Sequence, residues 1–353
     1  MKKFISKSLF GVAALFGLSM CLTSCEDVLG HWEKPTPVVP GGVTPTPIPE
    51  EVYAFSLQDM SEEAITATAL KVTDQAGNTI VTAESDGKYT IADDLSSVTM
   101  LWLEATTATG NYIAKATKEE LRAIAEAGKL KMATLGNIVG SDGKFYANKT
   151  AVDAAGKTGV AMIVYLGDEG ETNTDYKHGL AIALSDDTGF KKWGPTGTNT
   201  TLDDKNTWSK AIADMAGIAN TETLDLDADY VAVTPPYTMS VFNPITNGFS
   251  IWFLPSAGQW YKFFNGMCNL TWSDFGKSTE GEAGFAIVNQ TFVDAGYNTT
   301  DAKFENNDYY WSSSEFGNND AVAVRFVLSE GVYVQDGLKD NDNTYRVRTF
   351  LAF

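Results

Sequence analysis

From residue 51 to about 131 the apolar positions come in short alternating runs broken by turn residues, a pattern that predicts β-strands. Residues 52–57, 66–73 and 98–105 read as three of them. Residues 79–83 and 88–91 flank Ser85-Asp86-Gly87, which predicts a hairpin. Then the period changes. Thr117 and Glu120 form a capping box, Leu121, Ile124 and Ala125 share one helical face, and Gly128 ends the helix. Short strands and close turns of this kind predict a small β-sandwich-like domain.

From about residue 132 to 353 the texture differs: aromatic residues and glycine are frequent, and polar loops separate short apolar runs. Residues 159–165, 180–184 and 249–253 read as strands. Trp208, Ala211, Ile212 and Met215 repeat at helical spacing, with Gly217 as the stop. Ser256 and Gln259 form a second capping box that opens a helix with Trp260, Phe263 and Phe264 inward. Phe285, Val288, Phe292 and Ala295 mark a third helix, ended by Gly296. Val322, Val324 and Phe326 alternate along a strand, Glu330-Gly331 turns, 332–335 returns, and 345–353 reads as the last strand.

The first fifty residues obey neither period. Lys2, Lys3 and Lys7 precede an apolar run from about Leu9 to Leu22, shorter than the ~20 residues a membrane span needs. The run ends in Leu22-Thr23-Ser24-Cys25, which resembles the lipobox of bacterial lipoproteins. The resemblance implies a leader over 1–24 and a lipidated Cys25. Several acyl chains make such anchoring stable, at ~0.8 kcal/mol per buried methylene. Glu26 and Asp27 follow directly, and acidic residues there direct some lipoproteins to the outer face of the outer membrane. Proline-rich residues 34–50 favour extended polyproline II, at ~3.1 Å per residue, and complete a tether over 25–50.

The formal charge is −19, and loss of the three leader lysines makes it three units more negative. Such a chain repels nucleic acid and anionic headgroups. Of three cysteines only Cys268 lies in the folded region, so no internal disulfide or cysteine-based zinc site is expected there. Met267, Leu270 and Trp272 around Cys268 predict a buried, inert thiol.

Four motifs then stand in order: His178-Gly179-Leu180-Ala181-Ile182-Ala183-Leu184, Trp252-Phe253-Leu254-Pro255-Ser256-Ala257-Gly258-Gln259-Trp260, Tyr310-Trp311-Ser312-Ser313-Ser314-Glu315, and Arg346-Val347-Arg348 followed by 350–353. Together they resemble bacterial surface-lipoprotein domains of the Lcl C-terminal and Fibrobacter major-paralogous type. The resemblance covers roughly 132–353. It implies an α+β, C-type-lectin-like fold for that part, and adhesion or ligand binding rather than catalysis.

His178 is the single histidine of the folded region, and no Gly-x-Ser-x-Gly elbow accompanies it. Formylglycine-generating enzymes share the fold class, but their chemistry needs reactive cysteines and Cys268 is alone. Calcium would find oxygen ligands at Glu305, Asp308, Asp340 and Asp342, in two stretches that also read as solvated turns. The Glu-Pro-Asn and Trp-Asn-Asp motifs of animal C-type lectins are absent. Among the tryptophans, Trp193 and then Trp272 sit in polar surroundings and are the candidates for stacking on a sugar. The others lie at helix or strand spacing and read as core. Glu315 and Arg348 are expected to form a structural ion pair. The expectation is a non-enzymatic surface lipoprotein that binds a glycan or a surface protein; the alternative is an accessory or tip subunit of a fimbria-like fibre, with an exposed β-edge groove in the N-terminal domain.

Overall fold

The alternating segments before residue 133 pair into two sheets. The computed structural model describes residues 52–91, 94–242, 244–245, 248–275, 278–327, 331–342 and 344–353, and it is to these that the description refers. The first lobe runs β1 (Tyr53–Asp59), β2 (Ala69–Asp74), β3 (Thr82–Ser85), β4 (Lys88–Ile91), β5 (Leu101–Thr106), β6 (Asn111–Ala116), α1 (Lys118–Ala127) and β7 (Lys129–Met132). One sheet has the order β3-β4-β1-β7 and the other β2-β5-β6. Phe55, Leu57 and Ile91 of the first meet Leu101, Leu103 and Ala114 of the second in a shared core, which makes the lobe a sandwich. The β3–β4 hairpin turns through Asp86 (φ 52°) and Gly87 (φ 73°), the paired positive angles a two-residue turn requires. The α1 capping box is present: the Thr117 hydroxyl accepts from the Glu120 amide at 3.2 Å, and the Glu120 carboxylate accepts from the Thr117 amide at 3.0 Å.

The second lobe contributes β8 (Ile138–Gly140), β9 (Phe145–Tyr146), α2 (Lys149–Ala154), β10 (Gly159–Leu166) and β11 (Gly179–Ala183). Helices α3 (Trp208–Ala213), α4 (Gly217–Leu224), α5 (Thr234–Phe242), α6 (Ala257–Cys268) and α7 (Ser278–Asp294) follow. The chain closes with β12 (Tyr309–Glu315), β13 (Asp320–Val327), β14 (Gly331–Leu338), β15 (Tyr345–Arg346) and β16 (Phe350–Ala352). They form a sheet β16-β11-β10-β8-β9 and a sheet β14-β13-β12-β15. Helix α6 starts at its predicted box and places Trp260, Phe263 and Phe264, all fully buried, against Phe304, Phe326 and Phe350. The architecture is mixed α+β, with sheets predominating.

Three local expectations change. Gly217 does not stop a helix: α3 ends at Ala213 and Gly217 opens α4, where a side chain would collide with Phe253 at 2.8 Å. Residues 249–253 make a single bridge, Phe253 to Phe350, rather than a strand. The expected last strand divides: β15 pairs with β12 and β16 with β11, so Val347, Arg348 and Thr349 carry the chain from one sheet to the other.

The lobes share a third core. Trp102 and Ile113 of the first pack with Val139, Ile163, Phe249 and Phe353 of the second. Ile113 and Ala133 exchange both backbone hydrogen bonds, each 2.7 Å. Residues Pro49–Phe353 accordingly form one compact unit.

Candidate functional site

The seam between the lobes opens into a cleft beside that bridge. Main-chain groups alternate in direction along a strand, so beyond Ile113 and Ala133 the next groups that face each other belong to Lys115 and Lys131. There β6 and β7 do not pair; they belong to different sheets, and α1 lies between them in sequence and packs against both. The result is a cavity of about 540 Å³, with Met60, Met100 and Phe145 as apolar lining and Lys115, Lys131, Lys144, Glu120 and Asp142 around it. A second, more open cleft of about 590 Å³ continues along α1 and β7; it shares Lys115, Glu120 and Lys131 and adds Glu62 and Lys129. Cavities of some 300–1,000 Å³ with apolar walls and a few polar groups are the usual small-ligand sites.

Lys115 stands at the centre. Its ammonium lies 4.3 Å from the Phe249 ring centroid, 5.6 Å from Trp102 and 6.0 Å from Phe145. Burial pushes it down to about 8, against the smaller opposing pull of Glu120 and Asp142. Lys144 pairs with Glu120 at 2.6 Å and Lys131 with Glu62 at 2.8 Å; all four side chains are substantially exposed. The Tyr146 hydroxyl donates to Asp142 at 2.8 Å, and burial together with that carboxylate pushes it up to about 12. Gly248 (φ 90°) lets the loop approach closely, since a side chain there would lie 2.6 Å from Met100 and 2.7 Å from Trp102.

On the other side of Trp102, His178 stacks on the indole at 4.5 Å and an angle of 25°. Its Nδ1 lies 3.1 Å from Glu104, which also pairs with Lys71 at 3.0 Å. Burial alone would raise the Glu104 carboxyl, but the hydrogen bonds from His178 and Lys71 outweigh it and hold it below its ordinary value. His178 thus ties the lobes together, at the turn-to-strand junction before β11; its amide also donates to Phe353 at 2.6 Å.

The sequence candidates fall elsewhere. Trp193 is fully buried, not exposed: its indole N–H donates to Ser312 at 2.8 Å, Tyr230 meets it edge-on at 5.5 Å, and its main chain bonds to Lys339. Trp272 lies in a single turn, Trp272–Asp274, and its side chain is outside the described part. Glu315 and Arg348 do not pair. Glu315 is buried against Lys339, which it binds directly, and it accepts from Thr200 at 2.5 Å. Arg348 lies 2.6 Å from Asp186 and donates to the Ala302 carbonyl at 3.0 Å. Burial raises the Asp186 carboxyl despite that guanidinium.

The four calcium candidates do not assemble either. Asp308 turns inward, to Arg346 at 3.0 Å and Tyr310 at 3.2 Å, and its other role is to accept from the Glu305 amide at 3.0 Å. Asp340 and Asp342 are exposed on the turn after β14. Among the described residues no three His, Cys, Asp or Glu side chains come together as a metal ion would need. Cys268 is half-buried, donates to the Gly284 carbonyl at 3.2 Å, and is pushed up to about 12 by burial. Cys25 and the tether lie outside the described residues, among which no helix is long and apolar enough to cross a membrane.

Sequence reasoning passed over Lys115, Lys131 and Lys144. One signal was available: Lys115 stands in a short, mostly apolar run, 111–116, that forms strand β6.

No protein-family model matches the chain. No curated protein matches it significantly. Among solved structures it is similar to a fimbrial protein from Bacteroides ovatus, at 15% identity and a TM-score of 0.45, over 86% of this chain and 70% of that one.

Proposed function

We propose that the protein is a lipid-anchored, non-enzymatic surface protein of the outer membrane, whose second lobe is of the C-type-lectin-like class and whose seam cleft receives a ligand. The anchor rests on the leader and Cys25, and the outward reach on the proline tether. The observation that carries the binding function is the cleft itself: an open, partly apolar cavity whose polar groups converge from both lobes. The tryptophans Trp193, Trp252, Trp260 and Trp311, by contrast, are all spent on the core. Binding is tested with the purified full chain on arrays of glycans and of purified surface proteins. Thr99 is exposed on the cleft rim, so Thr99→Trp fills the cleft without touching the core. Binding that vanishes in Thr99→Trp supports the reading; binding that survives it removes the cleft from consideration. The anchor is tested separately: Cys25→Ser should move the protein from the membrane fraction to the soluble one, and unchanged partitioning would refute lipidation.

A second reading, a subunit of a surface fibre, draws support from the β7 edge. Lys131 presents main-chain groups to the gap where β6 departs, an edge that an incoming strand could join. It predicts polymers of the purified chain by light scattering, and a chain that stays monomeric at every concentration counts against it.

A further inference from the structure

The charge around the seam runs against the rest of the molecule. The chain has 26 basic and 45 acidic residues. The two joined clefts instead carry four lysines, at 115, 129, 131 and 144, against three carboxylates, Glu62, Glu120 and Asp142. A soluble anion is repelled by the net charge of the chain and meets a small excess of lysine in this trench. The lysine–carboxylate pairs at the rim are exposed, with Lys131 and Glu62 at 50% and 68% and Lys144 and Glu120 at 61% and 41%. Pairs so open to water are held weakly and exchange readily for another anion.

Resting on the cleft as the binding site, we propose that the trench takes an extended acidic saccharide, carboxylated or sulfated. Its anions replace Glu62 and Glu120 on Lys131 and Lys144. The C–H face of one sugar ring lies on Met60, Met100 and Phe145. Three features point to this occupant. The two clefts adjoin across Lys115, Glu120 and Lys131, so an occupant that extends beyond the first meets the second. The lining joins apolar carbon to charged rim groups, which suits a ring with one C–H face and ionised or hydroxylated edges. Asp142 remains as an acceptor for hydroxyls. Lys115 is the inner cation, held over the rings of Phe249, Trp102 and Phe145.

The test is calorimetry with the full chain and three probes: an oligogalacturonate, a heparin-derived oligosaccharide, and the methyl-esterified, uncharged form of the first. The acidic probe of the right class should bind about tenfold or more tightly than the ester and weaken as salt is added. Lys131→Gln and Lys144→Gln should each weaken it by about three- to tenfold, and Thr99→Trp should abolish it. Which of the two acidic probes binds decides between carboxylate and sulfate. Affinity should also fall as pH rises through about 8, where Lys115 loses its proton; Glu120, Asp142 and Lys144 are the charged groups that act on it. If the ester binds as well as the acid and Thr99→Trp blocks both, the cleft stands and the acidic class falls. If an acid binds and Thr99→Trp leaves it unchanged, the cleft reading falls and the inference with it. If neither acid binds, the inference is wrong.

Discussion

Lys115 shows how burial sets the behaviour of one side chain. Its ammonium is pushed down to about 8 in the folded protein, while an unfolded chain restores a value near 10.5. Between those limits the unfolded state binds more protons, so folding stability rises with pH from about 8 to about 10.5. Lys115→Met should abolish that rise, read by denaturant unfolding at a series of pH values; an unchanged slope would mean that Lys115 is not desolvated. The buried Glu315–Lys339 pair makes a second prediction. Removing either partner alone should cost about 3–5 kcal/mol, because the other charge is stranded out of water, and removing both should cost much less than the sum. A cycle between Glu315 and Arg348 should show no coupling. Side chains of this kind were the least legible in the sequence. Glu315 finds its partner 24 residues away across two sheet strands, and no local pattern announces it. Trp193 misled for the opposite reason: its polar sequence neighbours suggested solvent, but the loop that carries it is pinned to Lys339 and turns the indole inward.

Among elements, legibility follows the range of the interaction that makes them. Both capping boxes were readable because each closes over three residues, and both helices begin where the box places them. Strand β7 was not readable, because four residues of alternating Lys, Leu, Lys and Met gain their meaning only by lying parallel to β1. The division of the last strand was hidden for the same reason, since β15 and β16 take their partners from different sheets. The loop at Gly248 belongs to this scale too. A side chain there would press on Met100 and Trp102 in a left-handed backbone, so Gly248→Ala should destabilise by about 1–3 kcal/mol. Thermal unfolding checks this, and a neutral result would show that the loop can withdraw from the seam.

At the scale of the molecule the two lobes behave as one body because Trp102, Ile113, Phe249 and Phe353 share a core. A single unfolding transition is expected, and Trp102→Ala should cost about 3–5 kcal/mol by emptying the centre of that core. Two separate transitions in the unaltered protein would contradict the shared core. The same union creates the cleft, whose walls come from β6, α1 and β7 on one side and from Asp142 to Phe145 and Gly248 on the other. None of this was visible in a sequence read domain by domain. The mixed α+β class was legible, but the seam is a property of how the lobes meet. The measurement that tests the account most directly is a binding comparison between the unaltered full chain and Thr99→Trp, at equal thermal stability, against the same ligand array. The account predicts that binding present in the first is lost in the second. Equal binding by both would contradict it.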